Sequence, residues 1–173
     1  LMAKSGPAGA PDRAREAWGM TRPLVLRDWL VAGVGAGLVA GLAAAAFAAF
    51  AQLRSGLPVA GTYAFIASAA GGPGLGDGPL AVPAGVLALF ALAIFWAYAY
   101  LYAARAQSQL LTRPLLSGAG FGVIVWFVMQ AVLVGAGRFA APTIYSFDRD
   151  MVAYIIFFGI PLAFTASRLM RPQ

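Results

Sequence analysis

Residues 29–53 read WLVAGVGAGLVAGLAAAAFAAFAQL, an uncharged run closed by Asp28 on one side and Arg54 on the other. An α-helix rises about 1.5 Å per residue, so a run of this length covers the roughly 30 Å hydrocarbon core of a bilayer. Three more uncharged apolar runs follow, at residues 82–104, 115–137 and 151–167, each ended by arginine or aspartate. Inside a bilayer there is no water to satisfy the backbone, and at these lengths only a helix closes its hydrogen bonds within its own segment. The sequence therefore predicts an all-α, polytopic membrane protein with four transmembrane helices. Residues 1–27 form a basic tail and residues 28–173 the four-helix domain.

Composition points the same way. Hydrophobic residues make up 61% of the chain and charged residues 10%, with a mean hydropathy of +0.80, whereas a soluble domain carries about a quarter charged residues. Net charge is +6 and the isoelectric point is near 10.3. The basic residues sit at helix ends without forming a dense patch, so anionic lipid headgroups, and not nucleic acid, are the expected partner. Cysteine and histidine are both absent, which removes disulfides, thiol chemistry, imidazole proton transfer and the usual zinc and haem ligands. No cofactor and no metal is expected.

The arginines set the orientation. Lys4, Arg13, Arg15, Arg22, Arg27, Arg105, Arg113, Arg168 and Arg171 fall in the two tails and the second loop, against Arg54, Arg138 and Arg149 in the first and third loops. Positive charge is retained on the cytoplasmic side, so both termini are expected in the cytoplasm of a bacterial inner membrane. The run after Asp28 is longer than the h-region of a signal peptide, and the first span reads as a retained anchor. In the tail, Pro11, Asp12 and Arg13 precede Ala14 to Met20, a pattern for one short helix that Trp18 would anchor at the headgroups; a disordered basic tail is the alternative.

Residues 57–70 are apolar but too short to span, and they predict an interfacial or re-entrant helix in the first outer loop. The glycine-rich connector over residues 71–79 has neither the Lys-Ser/Thr end of a phosphate loop nor a preceding strand, so it offers no nucleotide site.

Glycine spacing is the most informative pattern inside the spans. Gly33, Gly37 and Gly41 recur every four residues on one face of the first helix, and Gly118 and Gly122 do the same in the third. Lipid tails are as apolar as leucine, so helices in a bilayer associate by close van der Waals packing through small residues. These faces can serve the chain's own bundle or another subunit. In the second case Gly37→Leu would release the partner and leave the bundle folded. The order glycines, apolar helix, arginine, proline occurs twice, from Gly33 to Pro58 and from Gly118 to Pro142, which suggests two parallel helical hairpins.

Polar groups at depth are scarce. No Asp, Glu, Lys or Arg lies inside a span, whereas coupled carriers keep an ionisable group on their path. Gln130 is the deepest strongly polar side chain and is expected to bond across helices to Thr165, with Ser167 nearby. Pro161 after Gly159 should perturb the fourth helix. Trp29, Trp96, Tyr98, Tyr100 and Tyr102 read as an interfacial aromatic belt, with Arg105, Arg113 and Arg168 as the matching basic anchors. Trp126 is deeper and reads as packing. Asp148 or Asp150 would cap the fourth helix.

The stretch over residues 98–138, with its aromatic helix end, Arg113-Pro114, Gly118, Gly122, Trp126 and Met129, resembles the later half of the YagU-like small bacterial inner-membrane proteins, which have four helices. The resemblance covers about a quarter of the chain and lacks the histidine of that family's second helix. It implies membrane residence.

Three functions fit these features, in descending order. The first is a non-catalytic accessory or scaffold subunit, docked by its glycine faces on a larger respiratory or photosynthetic membrane complex. The second is a small channel or carrier built as a homo-oligomer with Gln130 on its path. The third is a lipid or quinone enzyme using Asp77, Asp148 or Asp150 at the outer interface.

Overall fold

The computed structural model describes residues 26–107, 109–135, 137 and 150–170. Every element among them is helical: α1 (Leu26–Arg54), α2 (Val59–Gly71), α3 (Pro73–Gly76), α4 (Ala81–Ala106), α5 (Gln109–Thr112), α6 (Pro114–Gly135) and α7 (Asp150–Leu169), the last with a π-helical turn at Ile155–Gly159. Four of them, α1, α4, α6 and α7, are long and apolar enough to cross a membrane. They match the four runs predicted from sequence. The helices α1 and α6 are apolar all the way round, the pattern of a helix whose outer face meets lipid.

Local chemistry sets the ends. Gly56 at φ +66° stops α1. Its N–H bonds the Leu53 carbonyl at 3.2 Å and the N–H of Leu57 bonds that of Gln52 at 3.0 Å, the paired closure of a Schellman motif. Gly137, at the same φ, bonds back to Val134 at 3.0 Å, so α6 ends at Gly135, slightly before the apolar run does. In the last turn of α1, Gln52 Nε2 donates to Thr62 Oγ1 at 2.6 Å and ties α2 to the helix before it. The main body of α2 lies along α4, with Ala67 fully buried.

The four long helices pack in the order α4, α1, α7, α6. Alanines dominate where α1 is enclosed: Ala32, Ala36 and Ala40 have no exposed surface. Small side chains there let three helices converge, and close approach is what holds helices together in lipid. Between α4 and α6 the backbones stay further apart, and aromatic rings bridge them. Trp96 and Tyr100 meet Phe121 edge to face at centroid distances of 6.0 and 5.1 Å.

Gln130 and Thr165 are not neighbours, contrary to expectation. The helices α6 and α7 run antiparallel, with Gly118 against Gly159, Ile160 and Ala163, and Gly122 against Tyr154 and Ile155. Gln130 lies twelve residues beyond Gly118, about 18 Å along the axis, while Thr165 lies at the other end of α7. Ser167 instead donates to the Phe164 carbonyl of its own helix at 2.9 Å.

Candidate functional site

The glycine faces turn inward. A Cβ on Gly37 would stand 2.6 Å from Ile94 Cα, and one on Gly41 would stand 2.8 Å from a Phe90 ring carbon. One on Gly33 would enter the ring of Tyr98. Thus Gly41, Gly37 and Gly33 of α1 receive Phe90, Ile94 and Tyr98 of α4, both sets spaced four residues apart on antiparallel helices. The room at Gly33 lets Tyr98 cross α1 and donate its hydroxyl to the Leu30 carbonyl at 3.2 Å.

The second hairpin uses the same device with backbone on both sides. A Cβ on Gly118 would lie 2.7 Å from the Gly159 carbonyl oxygen, and one on Gly122 would lie 2.8 Å from Ile155 Cα. Gly159 itself could carry no side chain, because its Cβ would overlap the Gly118 carbonyl. Pro161 explains the π turn beside it. Proline has no N–H to offer the Phe157 carbonyl and its ring crowds that oxygen, and the helix widens so that the Ile160 N–H reaches back five residues to Ile155. The wide turn carries Gly159 against α6.

A third seam lies between α4, α5 and the start of α6. Tyr100 is 1% exposed; its hydroxyl bonds the Leu110 carbonyl at 2.8 Å and lies 2.9 Å from Ser117 Oγ. Ser117 also donates to the Leu110 carbonyl at 2.7 Å. These bonds fasten the short loop helix α5 to the core. The sequence predicts an interface anchor at Tyr100; its ring is instead turned inward, because Phe121 and Ser117 provide a closed site for it.

The remaining anchors gather at one end of the bundle. The Arg105 guanidinium carbon sits 3.6 Å above the Trp29 ring, and that of Arg168 sits 4.6 Å from the Phe164 ring. Arg27, Arg105, Arg113 and Arg168 are all exposed. Trp96 is partly buried, packed on the core and on Phe95. Trp126 is 1% exposed and lies edge-on to Phe127 at 4.9 Å.

No protein-family model, curated protein or solved structure matches this chain.

Among the described residues no three His, Cys, Asp or Glu side chains are grouped to hold a metal ion. Asp77 is exposed after α3, and Asp150 opens α7. Trp18 and Asp148 lie outside the described residues. Because Gly33, Gly37, Gly41, Gly118 and Gly122 are all taken up by the chain's own helices, these faces are not offered to another subunit. Docking of another subunit on them, expected from the sequence, is not what the packing allows. Sequence reasoning missed two close approaches, Gly85 against the Tyr63 backbone and Gly159 against Gly118. A signal existed for the second, since a glycine two residues before a mid-helix proline marks a place where backbone geometry and close packing are both unusual.

Proposed function

We propose that this chain is a non-catalytic multi-pass protein of the bacterial inner membrane, with both termini in the cytoplasm, that serves as an accessory or scaffold subunit of a larger membrane assembly of respiratory or photosynthetic type. The character of the interior carries this reading. Small residues and aromatic rings fill it, and the hydroxyls of Tyr100, Ser117 and Ser167 are engaged with main-chain carbonyls. General acid–base work needs a titrating group within reach of a substrate, and the sequence puts no charged side chain inside the spans. With the glycine faces used internally, contact with a partner falls to the outward faces, where Leu87 and Leu116 are 73% and 71% exposed. The resemblance of residues 98–138 to YagU-like proteins is consistent with the same residence.

Extraction in a mild detergent followed by measurement of the native particle mass tests the reading. Co-purification with a large complex supports it. A symmetric homo-oligomer favours the channel or carrier, and a monomer that turns over lipid favours the enzyme. Orientation has its own test, because the chain has no cysteine to interfere. A cysteine at Ser55 should react with an impermeant maleimide in intact spheroplasts, and one at Gln107 only after lysis; the reverse pattern overturns the cytoplasmic placement of the termini.

A further inference from the structure

The first and second spans meet at a corner that is built in more detail than packing requires. Gly33 makes room for Tyr98, whose hydroxyl bonds the Leu30 carbonyl at 3.2 Å and fixes the end of α4 beside the start of α1. Two turns further along the same face of α4, Arg105 lies on the Trp29 ring at 3.6 Å. At that distance the planar guanidinium rests on the indole by one face, and its N–H donors remain at its edges, in a plane set by the ring. Arg105 is exposed and forms no ion pair among the described residues. Tyr102, 73% exposed, stands one turn earlier on the neighbouring strip.

A fixed, unpaired guanidinium edge, with an exposed tyrosine one helical turn away, matches a phosphodiester, which accepts charge-assisted hydrogen bonds through two oxygens. Its position at the end of two apolar helices puts that phosphate at headgroup depth, with an acyl chain alongside Leu30, 51% exposed. The basic surroundings, Arg27, Arg113 and Arg168 at the same end of the bundle, select net negative headgroups over zwitterionic ones. We infer that Arg105, stacked on Trp29 where the first and second spans meet, forms with Tyr102 a seat for the headgroup phosphate of an anionic phospholipid. This rests on the bilayer residence proposed above and on no partner protein.

The test uses the full-length protein in neutral detergent, titrated with phosphatidylglycerol, with phosphatidylcholine and with inorganic phosphate, and bound lipid is counted by native mass spectrometry. Phosphatidylglycerol should be retained in preference to phosphatidylcholine, and inorganic phosphate should not displace it. Arg105→Gln should weaken phosphatidylglycerol binding about tenfold, the effect of losing one charged hydrogen-bonding group. Arg54→Gln at the other end should leave binding unchanged. Arg105→Lys, which keeps the charge but loses the stacked plane, should fall between wild type and Arg105→Gln, and it decides the matter if Arg105→Gln does not fold. Equal retention of the two lipids, equal loss in the Arg54 and Arg105 variants, or displacement by inorganic phosphate overturns the seat. A chain that stays with vesicles but shows no lipid preference sinks this inference alone, whereas one found in the aqueous fraction sinks the bilayer reading as well.

Discussion

At the scale of single residues, the effect of adding a methyl group depends on what faces it. At Gly37 the neighbour is the Ile94 backbone at 2.6 Å, which cannot rotate away, so Gly37→Ala must push α1 and α4 apart. Overpacking of this kind costs about 1–3 kcal/mol, more than the helix-propensity gain of about 1 kcal/mol. Gly120 has nothing within 4 Å, and Gly120→Ala should be neutral or stabilise by up to about 1 kcal/mol. Unfolding of both variants in mixed micelles, followed by circular dichroism, checks the contrast. Equal effects would mean that α1 and α4 do not approach as described. Tyr100→Phe keeps the ring on Phe121 but removes the hydroxyl from the Leu110 carbonyl. Ser117 still bonds that carbonyl at 2.7 Å, so the loss should be near about 0.5–1.5 kcal/mol, read in the same assay. A Tyr100→Ala variant, which also empties the ring site, should cost about 3–5 kcal/mol by analogy with other buried aromatics.

At the scale of elements, the decisive features are the two glycine seams and the turn that makes the second one possible. The seam between α1 and α4 sets glycines against two aromatic rings and the Ile94 backbone, whereas the other, between α6 and α7, sets Gly118, Gly122 and Gly159 all against backbone. The second is therefore less forgiving. Gly159→Ala places a methyl into the Gly118 carbonyl, and no rotamer change relieves it; the expected cost is about 1–3 kcal/mol or more. If thermal unfolding of Gly159→Ala matches wild type, the backbone contact is wrong. Both seams follow the same arrangement within their hairpins, the glycine face of the earlier helix meeting the later one. The α7 turn has no counterpart in α4, because α4 carries its proline, Pro83, in the first turn, where a missing N–H costs nothing.

For the whole molecule, the order of helices is open to direct test. Cβ positions of Gly41 and Ala93 lie 3.3 Å apart, close to the disulfide range of about 3.5–4.5 Å. In the cysteine-free background, Gly41→Cys with Ala93→Cys should crosslink α1 to α4 under mild oxidation. Gln130→Cys with Thr165→Cys should not, being far apart along antiparallel helices. The outcome is read as a mobility shift after proteolysis between the two positions, and crosslinking of the second pair with failure of the first would reverse the register of the bundle.

How much was legible in the sequence differs by property. Run length, charge-bounded ends and the absence of ionisable groups at depth fixed the number of long helices, because a bilayer imposes one thickness and one dielectric on every span. The apolar run between the first two spans, too brief to cross, was legible as a short helix, whereas its interfacial or re-entrant placement is a separate expectation. Rotation about each helix axis was not. In water, the polar side of a helix reveals which side is buried; here the face toward lipid and the face toward a neighbour are both apolar, and α1 and α6 carry no contrast between them. Hence the glycine faces were visible as faces while their partners were not, Tyr100 passed for a surface anchor, and Gln130 was paired with a residue at the opposite end of α7. Length and composition belong to the chain alone, but which side chain enters which gap depends on how four helices turn toward each other, and only the tertiary packing decides that.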